Sequence, residues 1–285
     1  MNAPRWSGPA ARARRLPDGR LHLQHGPIDV IARGWGAPAA LAAGEGRMVR
    51  RFDTILAELC AELPALRAAG ADLAGPVARR MAAAVAPFRP GFVTPMAAVA
   101  GAVAEALLAE LAGDGVTRAY VNNGGDIALH LAPGESLTCA LAARPGMPDR
   151  ATIRAEDPVR GIATSGRGGR SLSFGIADAV TVLARNAATA DAAATMIANA
   201  VDLPGHPAIH RRPARAIQAD SDLGDRPVTV GLDPLTPAEA DAALARGLDA
   251  ARAFRADGLI EAAALFLHPE TRILGHPLLK EPDHA

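Results

Sequence analysis

Residues 94–131 read TPMAAVAGAVAEALLAELAGDGVTRAYVNNGGDIALHL. The first half fits a helix: Thr94 is a residue type that caps helix N-termini, Pro95 suits the first helical position, and Gly113 to Gly115 close the run. Small residues at Ala97, Ala98, Gly101, Ala102 and Ala104 let a sheet or a second helix come close. The second half fits two antiparallel strands, Arg118 to Asn122 and Ile127 to Leu131, joined by an Asn-Gly-Gly-Asp turn. A small-residue helix running into a hairpin predicts an α+β fold, with antiparallel strands packed on Ala-rich helices.

Outward from this stretch, Arg20 to Gln24 and Ile28 to Ala32 alternate apolar with polar residues and predict a hairpin. Val49, Phe52, Ile55, Leu56, Leu59 and Leu63 recur at helical spacing over Met48 to Leu63, and Pro64 stops that helix. A short helix follows over Val77 to Val85. Beyond the central hairpin, Leu137 to Ala142 continues a meander, Ile153 to Ala163 and Ala179 to Leu183 add strands, and Ala188 to Val201 forms a second Ala-rich helix. Val228 to Leu232 is a short strand, Thr236-Pro237 caps a helix to about Ala256, and Ile260 to Leu267 with Arg272 to Leu274 make a closing hairpin. Two such halves predict a two-layer body with approximate internal duplication. The expected organisation is one domain over 16–279, a flexible tail at 1–15 and a C-terminal tail at 280–285.

Thirty basic residues balance thirty acidic ones with no segment of one sign, which disfavours nucleic acid and membrane surfaces as partners. Lys280 is the only lysine, so the arginines reflect composition more than phosphate recognition. Cys60 and Cys139 sit in apolar stretches without CxxC spacing, which fits a reducing compartment. No signal peptide is legible and the most apolar helix carries Glu105 and Glu110, so a cytoplasmic location is expected. The histidines show no HxH or HExxH spacing, and no zinc site is read.

Three polar segments carry candidate chemistry. In Asn122-Asn123-Gly124-Gly125-Asp126 the glycines let backbone amides approach a ligand, and Asp126 can take a ribose hydroxyl; an ordinary hairpin turn is the alternative. Thr164-Ser165-Gly166-Arg167, with Arg170 close behind, offers hydroxyls, amides and guanidinium forks suited to a diphosphate; a solvated loop is the alternative. Asp191 and Thr195 lie four apart on one helix face and suit Mg²⁺, which keeps waters and takes few protein oxygens. The alternative there is that Asp191 complements the helix dipole. Asp178, just before a strand, is a candidate general base or a turn residue.

Together these residues resemble the flavin transferases of the ApbE-like superfamily. Asn122 to Ile127 is similar to their Asn-x-Gly-Gly turn, Ile162 to Gly166 to their Ser-Gly strand end, and Ala190 to Thr195 to their Ala-Asp-Ala-x-Ala-Thr metal motif, in the same order. Pro17 to Arg20, Gly26 to Asp29, Thr94 to Gly101 and Gly175 to Val180 resemble an uncharacterised, shorter branch of that superfamily. The family's His-x-x-Asp-Pro segment and its N-terminal flavin motif are absent. The resemblance implies the two-layer, tunnelling-type fold. It also implies FAD or FMN as ligand with Mg²⁺, and transfer of FMN from FAD to a threonine of an acceptor protein. In that scheme Asp191 and Thr195 hold the metal, Asn122 to Asp126 and the Thr164 to Arg170 loop line the nucleotide, and Asp178 is the catalytic residue. The other expectation is a small-molecule-binding accessory protein that keeps the fold without flavin transfer. A homodimer is expected only because two-fold oligomers are common.

Overall fold

In the computed structural model, which describes residues 8–68, 70, 72–140, 150–169 and 171–275, the alternation of apolar side chains sets the faces of one large sheet. The chain begins with β1 (Arg12–Arg15), β2 (Leu21–His25) and β3 (Ile28–Gly36), then α1 (Pro38–Ala61), α2 (Leu63–Leu66) and α3 (Pro76–Val85). A 3-10 turn (Pro95–Ala98) leads into α4 (Val99–Leu111), followed by β4 (Val116–Asn123), β5 (Asp126–Leu131), β6 (Ser136–Ala140), β7 (Arg150–Arg154), β8 (Gly161–Ser165) and β9 (Ala179–Ala184). Then come α5 (Ala187–Ala200), β10 (Ile209–Pro213), β11 (Pro227–Leu232), α6 (Pro237–Ala256), β12 (Ala262–Leu267) and β13 (Glu270–Leu274).

Nine strands form an antiparallel sheet in the order β1-β2-β3-β4-β5-β8-β9-β12-β13. Register aligns Leu21, Ala32, Val121 and Ala128 across four strands, so one row of apolar side chains meets the helices. The opposite residues of the central strands, Ile127, Leu129, Leu131 and Ile162, pack under Leu137 and Ile153 of the separate β6–β7 ribbon. The sheet is therefore layered with helices on one face and capped by a small ribbon on the other. The α+β class and the antiparallel packing on Ala-rich helices are as expected.

Helix α5 is the hub. Ala187, Ala188, Ala190, Ala192, Ala193 and Ala194 are fully buried, because sheet and helices enclose the helix everywhere but on the face of Asp191, Thr195 and Asn199. Its N-terminus meets α4 backbone to backbone: a Cβ on Gly101 would fall 2.3 Å from the carbonyl oxygen of Ala187, so only glycine fits. Each helix also caps the other. Glu105 of α4 accepts from the amide of Ala188 at 2.7 Å, while Asp191 of α5 accepts from the amide of Gly101 at 3.0 Å, near the start of α4. Asn186 completes the α5 cap by accepting from the amide of Thr189 at 2.8 Å.

Several local expectations are corrected. Residues 12–15 are not part of a tail but pair with β2 as the sheet's edge strand, held by main-chain bonds although every side chain is exposed. The meander stops after β5, because β6 leaves the sheet to pair with β7; the expected strand end at 141 and 142 lies outside the described residues. The run from Ile153 to Ala163 is two strands, broken where the Arg160 guanidinium binds the carbonyls of Ala155, Asp157 and Val159. Thr94 does not cap α4: its hydroxyl donates to Asp222 and the first turn winds as a 3-10 helix. Thr236 caps α6 as expected, in a reciprocal box with Glu239. The first helix starts ten residues earlier than its apolar periodicity, at Pro38. The C-terminal tail, 280–285, lies outside the described residues.

Two outcomes follow. Gly101→Ala is expected to cost about 2–3 kcal/mol by overpacking against the α5 backbone, read from urea unfolding; a cost near zero would mean that the helices slide apart freely. Burial raises the Glu105 pKa above its ordinary value of 4.5, outweighing the Ala188 amide and Arg80, whose Nε lies 3.1 Å away. The folded state thus holds this proton more tightly than the unfolded chain, and Glu105 contributes most below pH 4.5 and progressively less as pH rises through its raised pKa. Melting temperatures of wild type relative to Glu105→Gln should therefore decline from low pH toward neutrality; a rise would show that the Arg80 pair dominates.

Candidate functional site

The β4–β5 turn, the end of β8 and the middle of α5 converge on a cleft of about 510 Å³, within the range of small-molecule sites. Gly124 and Gly125 take φ of +67° and +118°, so the turn doubles back tightly, and Asn122 locks it by accepting from the amide of Gly125 at 2.8 Å. Asn123 points to the helix layer and donates through Nδ2 to the carbonyl of Ala100 at 3.1 Å. Asp126, buried at the start of β5, accepts from the amide of Thr164 at 3.2 Å, which ties the turn to β8.

Across the cleft stand Asp191 and Thr195, one turn apart on α5. Burial raises the Asp191 pKa well above the ordinary carboxylate value, and the charge of Asp126 raises it further; the amides of Gly101 and Ala100 pull the other way. Thr195 donates to the hydroxyl of Ser165 at 3.4 Å, so the α5 wall and the β8 wall touch at their hydroxyls. Carboxylate, two hydroxyls and a second carboxylate opposite are hard oxygen donors of the kind Mg²⁺ takes, with water or ligand oxygens completing its shell. Among the described residues no group of three His, Cys, Asp or Glu side chains could hold a metal by itself.

Of the residues singled out in the sequence, Asn123, Gly124, Asp126, Thr164, Ser165, Gly166, Asp191 and Thr195 line the cleft. Asn122 and Gly125 shape its turn from behind. Arg167 and Asp178 are corrected: they do not line it but pair with each other at 2.6 Å, and Asp178 also accepts from the amide of His268 at 2.7 Å. That engagement pins the Gly-rich loop to the β12–β13 turn. Arg170 lies outside the described residues. The Thr164 hydroxyl faces Thr181 at 2.9 Å, leaving its backbone to the cleft. The dipole that Asp191 complements belongs to α4, not to its own helix.

Sequence reasoning missed Phe92, Phe174, Asn199 and Asp222. Asn199 accepts from the amide of Phe174 at 2.9 Å and so sets that wall. Four residues after Thr195 and eight after Asp191, it shares their face of α5 and was findable by helical spacing. Asp222 gave no signal, because the Pro-, His- and Arg-containing stretch before Val228 carries no motif around it.

Residues 13–273 match the profile of the family described as "AbpE bacteria". The chain belongs to this ApbE-like family. It is 40% identical over 142 residues to a UPF0280 protein of Methanothermobacter thermautotrophicus, covering 46% of this chain and 50% of that one. A UPF0280 protein of Methanoregula boonei is 36% identical over 155 residues, 52% of this chain and 65% of the other. The matches thus span about half to two-thirds of these curated relatives. The apo crystal structure of the Pseudomonas stutzeri flavinyl transferase ApbE aligns over 93% of both chains with 12% identity and a TM-score of 0.46. Among the described residues no helix of this ApbE-like chain is long and apolar enough to cross a membrane.

Asp178→Ala is expected to destabilise the protein by about 1–3 kcal/mol, since the amide of His268 loses its acceptor and Arg167 its partner. Chemical unfolding reads this; an unchanged midpoint would show that the loop is held by other contacts.

Proposed function

We propose that this chain binds a nucleotide diphosphate, FAD or a related flavin nucleotide, in the cleft together with Mg²⁺. The observation that carries this reading is the charge of the lining. Asp126, Asp191 and Asp222 line the cleft, whereas no Arg, Lys or His does among the described residues. A bare diphosphate entering such a site meets like charge, and a divalent cation between Asp191 and the phosphates reverses that. Asp191 and Thr195, with Ser165 adjacent, are the residues that would hold the ion, which would take the place of a proton that burial holds on Asp191 more tightly than on a free carboxyl. Mg²⁺ there would screen the phosphates and polarise the diphosphate linkage. The chain's own contribution is to fix the carboxylate through the amide of Gly101 and to offer the backbone of the Gly124 turn and of Gly166 to the nucleotide.

FMN transfer to a threonine of a partner protein is the activity the family resemblance suggests for such a complex. The accessory reading, binding without transfer, is favoured by one observation: Asp178, the candidate base, is occupied by Arg167 and the His268 amide outside the cleft lining. Binding is therefore the conclusion, and a cytoplasmic protein acting on a soluble ligand is its natural setting.

Calorimetric titration with FAD tests it. Binding is expected in Mg²⁺ and at least about tenfold weaker in EDTA, in Asp191→Asn and in Thr195→Val. Because Asp191 also caps α4, Thr195→Val is the variant expected to keep the wild-type melting temperature. FAD binding indifferent to Mg²⁺, or none at all, overturns the reading. Incubation with FAD, Mg²⁺ and a threonine-containing acceptor peptide then separates the two versions: AMP release with flavinylated peptide marks a transferase.

A further inference from the structure

Thr94 and Asp222 line the same cleft as Asp191 and Thr195. Asp222 lies on the β10–β11 connection and accepts a hydrogen bond from the Thr94 hydroxyl through Oδ2. From Thr94 the backbone runs through the 3-10 turn and into α4 to Gly101, whose amide donates to Asp191 at 3.0 Å, so the two carboxylates are tied to opposite ends of one stretch of chain. A ligand that engages both spans that stretch and is larger than a bare phosphate.

The surroundings of Asp222 define what it can receive. The nearby arginines have other engagements: Arg226 stacks 3.5 Å from the ring centroid of Phe92, and Arg67 pairs with Asp220 at 2.8 Å. Leu172, Phe174 and Leu223 give the same cleft apolar walls. A carboxylate has acceptor capacity for about four hydrogen bonds, and the Thr94 hydroxyl takes one. Resting on the nucleotide-diphosphate reading above, we propose that Thr94 and Asp222 form a second subsite that accepts the hydroxyl donors of the ligand's sugar, with the apolar walls taking its ring. Vicinal hydroxyls satisfy a carboxylate without bringing a second anion to an acidic cleft, whereas phosphate at this end is repelled.

Calorimetry in Mg²⁺ with ADP and 2′,3′-dideoxy-ADP tests the subsite. Wild type is expected to bind ADP about tenfold or more tightly than the dideoxy nucleotide, the worth of hydrogen bonds to a charged acceptor. Asp222→Ala should lose that preference and bind the two nucleotides equally, and Asp222→Asn, which keeps an acceptor oxygen, should retain part of it. A purely structural role for Asp222 would move both nucleotides together. Equal affinity of wild type for the two, or a preference that survives in Asp222→Ala, overturns the subsite and leaves the nucleotide reading standing. Binding of neither nucleotide by wild type that still binds FAD overturns the subsite alone, and failure to bind FAD as well overturns both. The wild-type comparison decides the matter even where a variant does not fold.

Discussion

The structure depends on two buried helices whose ends are capped by each other's carboxylates. Glu105 of α4 accepts from the first turn of α5, and Asp191 of α5 accepts from the first turn of α4. Helix N-termini leave amides without partners, and a carboxylate there gains both hydrogen bonds and the favourable end of the dipole. The exchange works only because Gly101 lets the backbones touch. With larger residues at the crossing, the carboxylates would stop short of the amides, and both helix N-termini would lose a cap bond in addition to the packing.

The same geometry makes the cleft. Once α4 and α5 are locked, Asp191 projects one turn before Thr195, toward the β4–β5 turn that Asn123 holds against the carbonyl of Ala100. Asp126 then faces Asp191 closely enough to raise its pKa. A carboxylate that caps a helix and is also crowded by another carboxylate holds its proton more tightly than a free one. The amide of Gly101 that fixes its position also keeps it facing the cleft, so its structural role and the proposed binding role are compatible.

Most of this was legible where local chemistry and tertiary structure agree. The Asn-Gly-Gly-Asp turn, the small-residue helix before it and the Asp191–Thr195 spacing each follow from backbone freedom or helical periodicity, and each appears in place. What was not legible are partnerships across long sequence separations. Thr94 looked like a cap because Thr-Pro before an apolar run usually is one, yet its hydroxyl partner lies 128 residues away. Arg167 and Asp178 looked like anion ligand and base because both flank a glycine-rich loop; their mutual ion pair depends on β8 and β9 being neighbours in the sheet. The edge strand β1 is invisible to hydrophobic patterning, since all four of its side chains are exposed and only the main-chain register holds it.

The two walls of the cleft differ in how they are built. One is carried by the sheet and the α4–α5 pair, so its residues are fixed by the core of the protein. The other comes from the β10–β11 excursion, which is fastened by a few polar bonds: the Thr229 amide to the carbonyl of Ser173 at 2.9 Å, and Arg211 to Asp202 and the carbonyl of Phe174. Changes in the first wall disturb folding, because Gly101, Asp191 and Glu105 serve the core as well as the cleft. The second wall lies outside that helix pair. A fold arranged this way can keep its Asp191 end unchanged while its Asp222 end varies.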